Sequence, residues 1–283
     1  MLTLTGAGLT VSVLDPRADE ARLGSRYCSA GYIWQVMDDE QGHVFAGPCF
    51  PDADPPPFHG QGAPEVFEIA LGQAEAKVGD EVYVIGVGRV RRESSVRPFH
   101  VRDNPTVTER TAWGLVTQTP SVLAFRSTAT FGDFALELER SLELNGRALR
   151  SATTLRNVGA LELPVRWFAH PFFPWAGVRS CRFSLESALP DWAPLVEDDA
   201  GVLARRPGSD WQRGHYVLPR VALGGRLTVD ACHPLLGVVR VACEFPLGGL
   251  ALWGNERTYS FEPFFQTIVL PGAEASWALG YAF

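Results

Sequence analysis

The chain predicts an all-β protein, a large antiparallel β-sandwich with few short helices. Three observations lead there. Apolar and polar residues alternate along much of the sequence, the signature of half-buried strands. The 28 glycines and 21 prolines are spread over the whole length, where they interrupt helices and supply turns. Helical periodicity is scarce: the best stretch, 15–23, is short. Many short strands between turn residues favour a sandwich or barrel over a βαβ fold.

The strands can be read in order. Glu81 to Val90 and Val122 to Phe131 alternate. In Phe134-Ala135-Leu136-Glu137-Leu138-Glu139 the apolar residues share one face, and the pattern resumes at Leu142 and Leu144. Asn145-Gly146 is a hairpin-turn signal, so Ala148 to Val158 reads as the returning strand. Trp277 to Phe283 alternates large and small residues and reads as the last strand. The proline-rich stretch 51–57 reads as a loop leading into Phe58-His59-Gly60, too short to divide domains. With no internal repeat or linker, one domain is expected over 1–283.

Composition excludes several classes. Of 283 residues, 46% are hydrophobic and 20% charged, enough for a real core and against disorder. The net charge of −7, with no basic run longer than Arg89-Val90-Arg91-Arg92, argues against nucleic acid. The five cysteines lack CxxC spacing and are odd in number, which fits buried free thiols in a reducing cytoplasm. The N-terminus lacks a secretory pattern, and charges and Pro246 interrupt the apolar stretch Leu235 to Trp253. A cytoplasmic protein without a membrane partner is therefore expected.

Familiar catalytic motifs are missing. There is no G-x-S-x-G elbow. Gly86-Val87-Gly88 lacks the third glycine of a dinucleotide fingerprint. The six histidines show neither HxH nor HExxH spacing, so no metal is expected. Two segments stand out. Asn157 to Trp175 carries His170 among aromatics and prolines; from the residue alone it reads as a core histidine. Tyr259-Ser260-Phe261-Glu262-Pro263-Phe264-Phe265-Gln266 sets a carboxylate among phenylalanines, where burial raises its pKa toward general-base range. A structural ion pair or an exposed carboxylate competes evenly with that reading.

These segments carry a resemblance. Asn-x-Gly-x-x-x-x-Pro-Val-x-x-x-x-His-Pro-Phe-Phe, residues 157–173, resembles the central block of aldose 1-epimerases and other galactose mutarotase-like proteins. The Phe-Glu-Pro segment resembles the block carrying that family's catalytic glutamate. Phe58-His59-Gly60 is similar to its Leu-His-Gly segment, and Val229-Asp230-Ala231-Cys232, more weakly, to a block with a substrate-binding aspartate. The resemblance implies the family's supersandwich and anomer interconversion without cofactor or metal. It implies His170 as the acid toward the ring oxygen and Glu262 as the base toward the anomeric hydroxyl, on opposite sides of one sugar. His59 and Asp230 would hold sugar hydroxyls. Trp175 could stack on the sugar, though a core tryptophan is the plainer reading.

One departure matters. The family's Asn-Arg pair has no counterpart in Gly47-Pro48-Cys49-Phe50-Pro51-Asp52. Arg89 and Arg92 are the candidate substitutes. The missing pair motivates a second reading, a sugar-binding protein without catalysis, because fold does not fix function. A lyase, or a different epimerase on the same sandwich, is a third reading; for a lyase Arg89, Arg91 and Arg92 would recognise a uronate, though an exposed edge-strand cluster explains those arginines more simply.

Overall fold

The computed structural model describes residues 1–51 and 54–283, so Asp52 and Ala53 of the proline-rich loop lie outside the described residues. Two large antiparallel sheets organise the molecule. One has eight strands in the order Gly114–Gln118, Val122–Phe131, Phe134–Asn145, Ala148–Asn157, Glu274–Ala282, Gly237–Cys243, Thr228–His233, Cys181–Phe183. The other runs His215–Val217, Gly249–Gly254, Thr258–Val269, Leu163–Ala169, Glu65–Phe67, with Phe172–Pro174 also paired to Thr258–Val269. Two four-stranded sheets flank them: an N-terminal one starting at Leu2–Gly6, and one formed by Ala70–Leu71, Glu81–Val84, Gly88–Arg91 and Val107–Arg110.

Alternation explains how the large sheets share a core. Leu136, Leu138, Leu142 and Leu144 are buried from one strand, and Leu163, Val165 and Trp167 from the other sheet. Aromatic rings fill the space between. Trp277 lies 5.7 Å from Trp167 and 4.7 Å from Phe265, centroid to centroid. The Asn145-Gly146 turn forms as expected, with Gly146 at φ +59°, where a side chain is disfavoured.

Two local expectations change. Glu81 to Val90 is not one strand but a hairpin, Glu81–Val84 with Gly88–Arg91. Gly86 and Gly88, both at positive φ, reverse the chain there. The segment 15–23 holds only a 3₁₀ turn, Glu20–Arg22. The Asp15 carboxylate accepts from the N–H groups of Arg17 and Ala18, and that local bonding competes with a helix. All five cysteines are free, with Cys28, Cys181 and Cys243 buried. Among the described residues no helix is long and apolar enough to cross a membrane.

The apolar row of the Phe134–Asn145 strand is broken by Arg140, which is fully buried. Its guanidinium pairs with the buried carboxylate of Glu65, in the opposite sheet, and with the hydroxyls of Thr153 and Ser151. Glu65 also accepts from Ser151 Oγ at 2.7 Å and Trp167 Nε1 at 3.1 Å. Removing the cation leaves a buried carboxylate without its counter-charge. Arg140→Met is therefore expected to cost about 3–5 kcal/mol in urea unfolding. The double variant Arg140→Met/Glu65→Gln should lose less than the two single losses combined, since the pair is coupled.

Candidate active site

The outer face of the six-stranded sheet is the floor of a cleft of about 790 Å³. Register explains which residues meet there. Phe168 pairs with Phe264 and Phe172 with Ser260. The same register carried across the gap sets His170 opposite Glu262. Pro171, with no N–H, interrupts the ladder between them. The His170 amide donates instead to Pro64 O, at 2.8 Å, just beyond the Ala169–Glu65 pair. Period-two alternation turns Glu262 and Phe264 to the cleft, with Ser260 on the same face beneath His170, and Tyr259, Phe261 and Phe265 to the core.

His170 and Glu262 touch. Imidazole Nε2 lies 3.2 Å from Oε1 of the carboxylate, and Nδ1 lies 2.7 Å from Ser260 Oγ. The imidazole stacks on Phe172 with centroids 4.3 Å apart. This corrects the expectation that acid and base sit on opposite sides of a sugar: they form one hydrogen-bonded pair on one wall. His170 is 1% exposed and Glu262 3%. Burial, reinforced by the charge of Arg26, holds the His170 pKa well below its ordinary value. Burial raises that of Glu262 to about 7, with Arg26 opposing the shift and Glu68 adding to it. Up to about pH 7 the pair thus holds one proton, on the carboxyl rather than the imidazole.

Of the other residues singled out in the sequence, His59 lines the cleft, with Nδ1 3.8 Å from Cys49 Sγ. Asp230, Trp175 and Arg89 do not. Asp230 alternates with buried Val229 and Ala231, so it faces outward from the eight-stranded sheet. Arg240 and Arg182 bind its carboxylate at 2.8 and 2.9 Å and hold its pKa below the usual range. Trp175 donates to Asn255 O, packs edge-on against Trp211 and borders a cavity of only about 10 Å³, too small for a sugar. Arg89 pairs with Glu81 and Glu109 on the small hairpin sheet. Arg92 is buried there, donating to the carbonyls of Gln73, Ser94 and Val96.

The cleft holds residues that sequence reasoning passed over. Arg26 projects from a loop and acts electrostatically on both His170 and Glu262. Trp253, paired with Ser260, has its ring centroid 6.0 Å from that of His170 and takes the wall position considered for Trp175. Asn255 and Tyr216 complete this side. Only Trp253 and Tyr216, on paired strands, had a signal in alternation; loop residues have none. Among the described residues no group of three His, Cys, Asp or Glu side chains could hold a metal ion.

Solved structures share this architecture. The chain superposes on a galactose mutarotase related enzyme from Lactobacillus acidophilus with a TM-score of 0.60 and 12% identity, covering 99% of this chain and 96% of the other. A candidate aldose 1-epimerase from Escherichia coli K12 gives 0.63 and 14%, covering 99% and 97%. A galactose mutarotase-like protein from Lactobacillus casei gives 0.57 and 14%, covering 100% and 99%. The fold is the galactose mutarotase-like sandwich. No sequence-family model matches the chain, and no curated protein matches it.

The shifted pair makes stability depend on pH in two opposing ways. Glu262 rises from 4.5 to about 7 on folding, so its contribution is present below 4.5 and is lost as pH climbs to about 7. His170, depressed from 6.5, contributes above that value and loses its contribution as pH falls through its folded pKa. Subtracting the two proteins isolates the carboxylate. The stability of Glu262→Gln relative to wild type is expected to rise by roughly 3 kcal/mol between pH 4.5 and 7 and then level off. Urea unfolding across that range measures it; a flat difference would contradict the shifted carboxyl.

Proposed function

We propose that this galactose mutarotase-like sandwich interconverts the anomers of an aldose by acid–base ring opening, with Glu262 as base and His170 as acid. The observation that carries the reading is their 3.2 Å contact on the wall of a cleft large enough for a sugar. The anomeric hydroxyl and the ring oxygen are bonded to the same carbon. An acid and a base side by side on one wall can therefore reach both.

The proton balance closes within the pair. Below about pH 7 the pair holds one shared proton, which rests on Glu262; its transfer across the 3.2 Å contact to His170 gives the reactive tautomer, an imidazolium beside a carboxylate. Glu262 takes the anomeric hydroxyl proton while His170 Nε2 protonates the ring oxygen. The bond between the anomeric carbon and the ring oxygen breaks, its electrons go to that oxygen, and a carbonyl forms. Rotation about the adjacent carbon–carbon bond presents the other carbonyl face. On reclosure His170 recovers its proton from the new hydroxyl, and Glu262 returns its own to the carbonyl oxygen. Nothing is consumed, so no cofactor is required. Ser260 Oγ, at Nδ1, receives the second imidazolium N–H and fixes the ring's orientation. Trp253 offers a ring to the apolar sugar face, and His59, Asn255 and Arg26 offer hydrogen bonds.

Exchange NMR on a panel of aldoses tests this. Wild type should accelerate anomer exchange, and Glu262→Gln should lose about 10²-fold or more. His170→Asn should lose a comparable factor. The wild-type rate should fall as pH rises through an apparent pKa near about 7, where the shared proton leaves the pair. Full activity in Glu262→Gln would overturn the assignment. Saturable sugar binding by a wild type that accelerates no sugar would favour the non-catalytic binder.

A further inference from the structure

The far wall of the cleft is basic in a chain whose net charge is −7. Arg26 and Arg102 both approach the ring of Phe58, with guanidinium carbons 5.0 and 5.7 Å from its centroid. Among the described residues neither forms an ion pair with a carboxylate. Two cations gathered on one ring repel each other, and the cation–π contacts offset this only in part. His100 stands beside them. Its Nδ1 accepts from the Arg102 amide at 3.1 Å, which leaves the proton on Nε2, free to donate.

The cluster is built rather than incidental. The Arg26 guanidinium donates to Phe58 O at 3.3 Å. Ser25 Oγ donates to Val101 O, and Asn104 Nδ2 to His100 O at 2.7 Å, so the two loops that carry the cations are fastened to each other and internally. Arg26 also lies 4.9 Å from the Tyr27 ring centroid, which is itself 6.5 Å from that of His170. The basic wall and the proton-transfer pair are thus separated by about one ring.

We propose that Arg26, Arg102 and His100 form an anion subsite, and that the substrate is an aldose bearing a phosphate or a carboxylate remote from the anomeric carbon. This rests on the reading of the cleft as a sugar site and narrows its substrate class. Guanidinium forks bind the tetrahedral or planar oxyanion, and the His100 N–H supplies a further donor. The reacting end of the sugar then points toward His170 and Glu262.

Calorimetric titration and exchange NMR with glucose, glucose 6-phosphate and glucuronate provide the test. An acidic sugar is expected to bind at least about tenfold more tightly than glucose, the scale of one charge-assisted hydrogen bond. Added salt should erode that preference. Arg102→Gln and Arg26→Gln should each reduce it, and Arg102→Lys should restore part of it. Phosphate and carboxylate are distinguished by which of the two acidic sugars binds more tightly. Equal binding of glucose and both acidic sugars, or binding of neither acidic sugar, would overturn the subsite. Preferential binding of an acidic sugar without anomer exchange would support the subsite and overturn the catalytic reading.

Discussion

A buried ion pair between Arg140 and Glu65 ties the two large sheets together and reaches the site through the backbone. Arg140 comes from the eight-stranded sheet and Glu65 from the edge of the six-stranded one. Two charges in an apolar interior are tolerable only when their hydrogen-bonding capacity is met. Ser151, Thr153 and Trp167 meet it, together with the carbonyls of Ala30 and Gly31. The pair therefore fixes more than sheet separation. Cys28 donates its amide to Glu65 O, so the segment carrying Arg26 is attached to the same residue. Ala169 pairs with Glu65, and Pro64 O receives the His170 amide. The backbone at one buried residue thus sits behind both the basic wall and the His170–Glu262 pair.

Two glutamates lie at the same depth with different partners. Glu65 receives two side-chain hydrogen bonds, from Ser151 and Trp167, and the Arg140 guanidinium. Glu262 is as deeply placed, but its only side-chain partner among the described residues is His170, itself held neutral by burial. Without a cation in contact, the carboxyl keeps its proton to about pH 7. Arg26 moderates this from a distance and keeps the group within reach of ionisation. At equal depth, then, the two carboxyls differ in their partners.

Much of the strand content was legible because alternation is a local property. Val122–Phe131 and the hairpin at Asn145-Gly146 are read directly from neighbouring residues. His170 and Glu262 were legible as chemical oddities in aromatic surroundings, but their contact was not. It depends on the register of strands about ninety residues apart and on the break at Pro171, neither of which has a local pattern. Asp230 shows the converse. Its place in an alternating strand was readable, but the face it occupies is set by the buried neighbours Val229 and Ala231, and that face is turned away from the cleft. Arg140 did carry a local signal, a cation in the register of four leucines. Its partner Glu65 lies on a three-residue strand with no pattern of its own.

The missing Asn-Arg pair can now be weighed against what occupies the cleft. The need it marks is physical: a donor of fixed positive charge facing the cleft. Arg89 and Arg92 cannot serve, because carboxylates engage one and backbone carbonyls the other. Arg26 lines the cleft, and its charge acts on both His170 and Glu262. It comes from a loop before the His59 segment, as an arginine of that pair would, but its attachment runs through Phe58 O and the ring of Tyr27. A charge can be supplied from any loop that reaches the cleft, whereas the His170–Glu262 contact depends on strand register. That difference explains why the His170 and Glu262 blocks resemble the known pattern while the arginine does not.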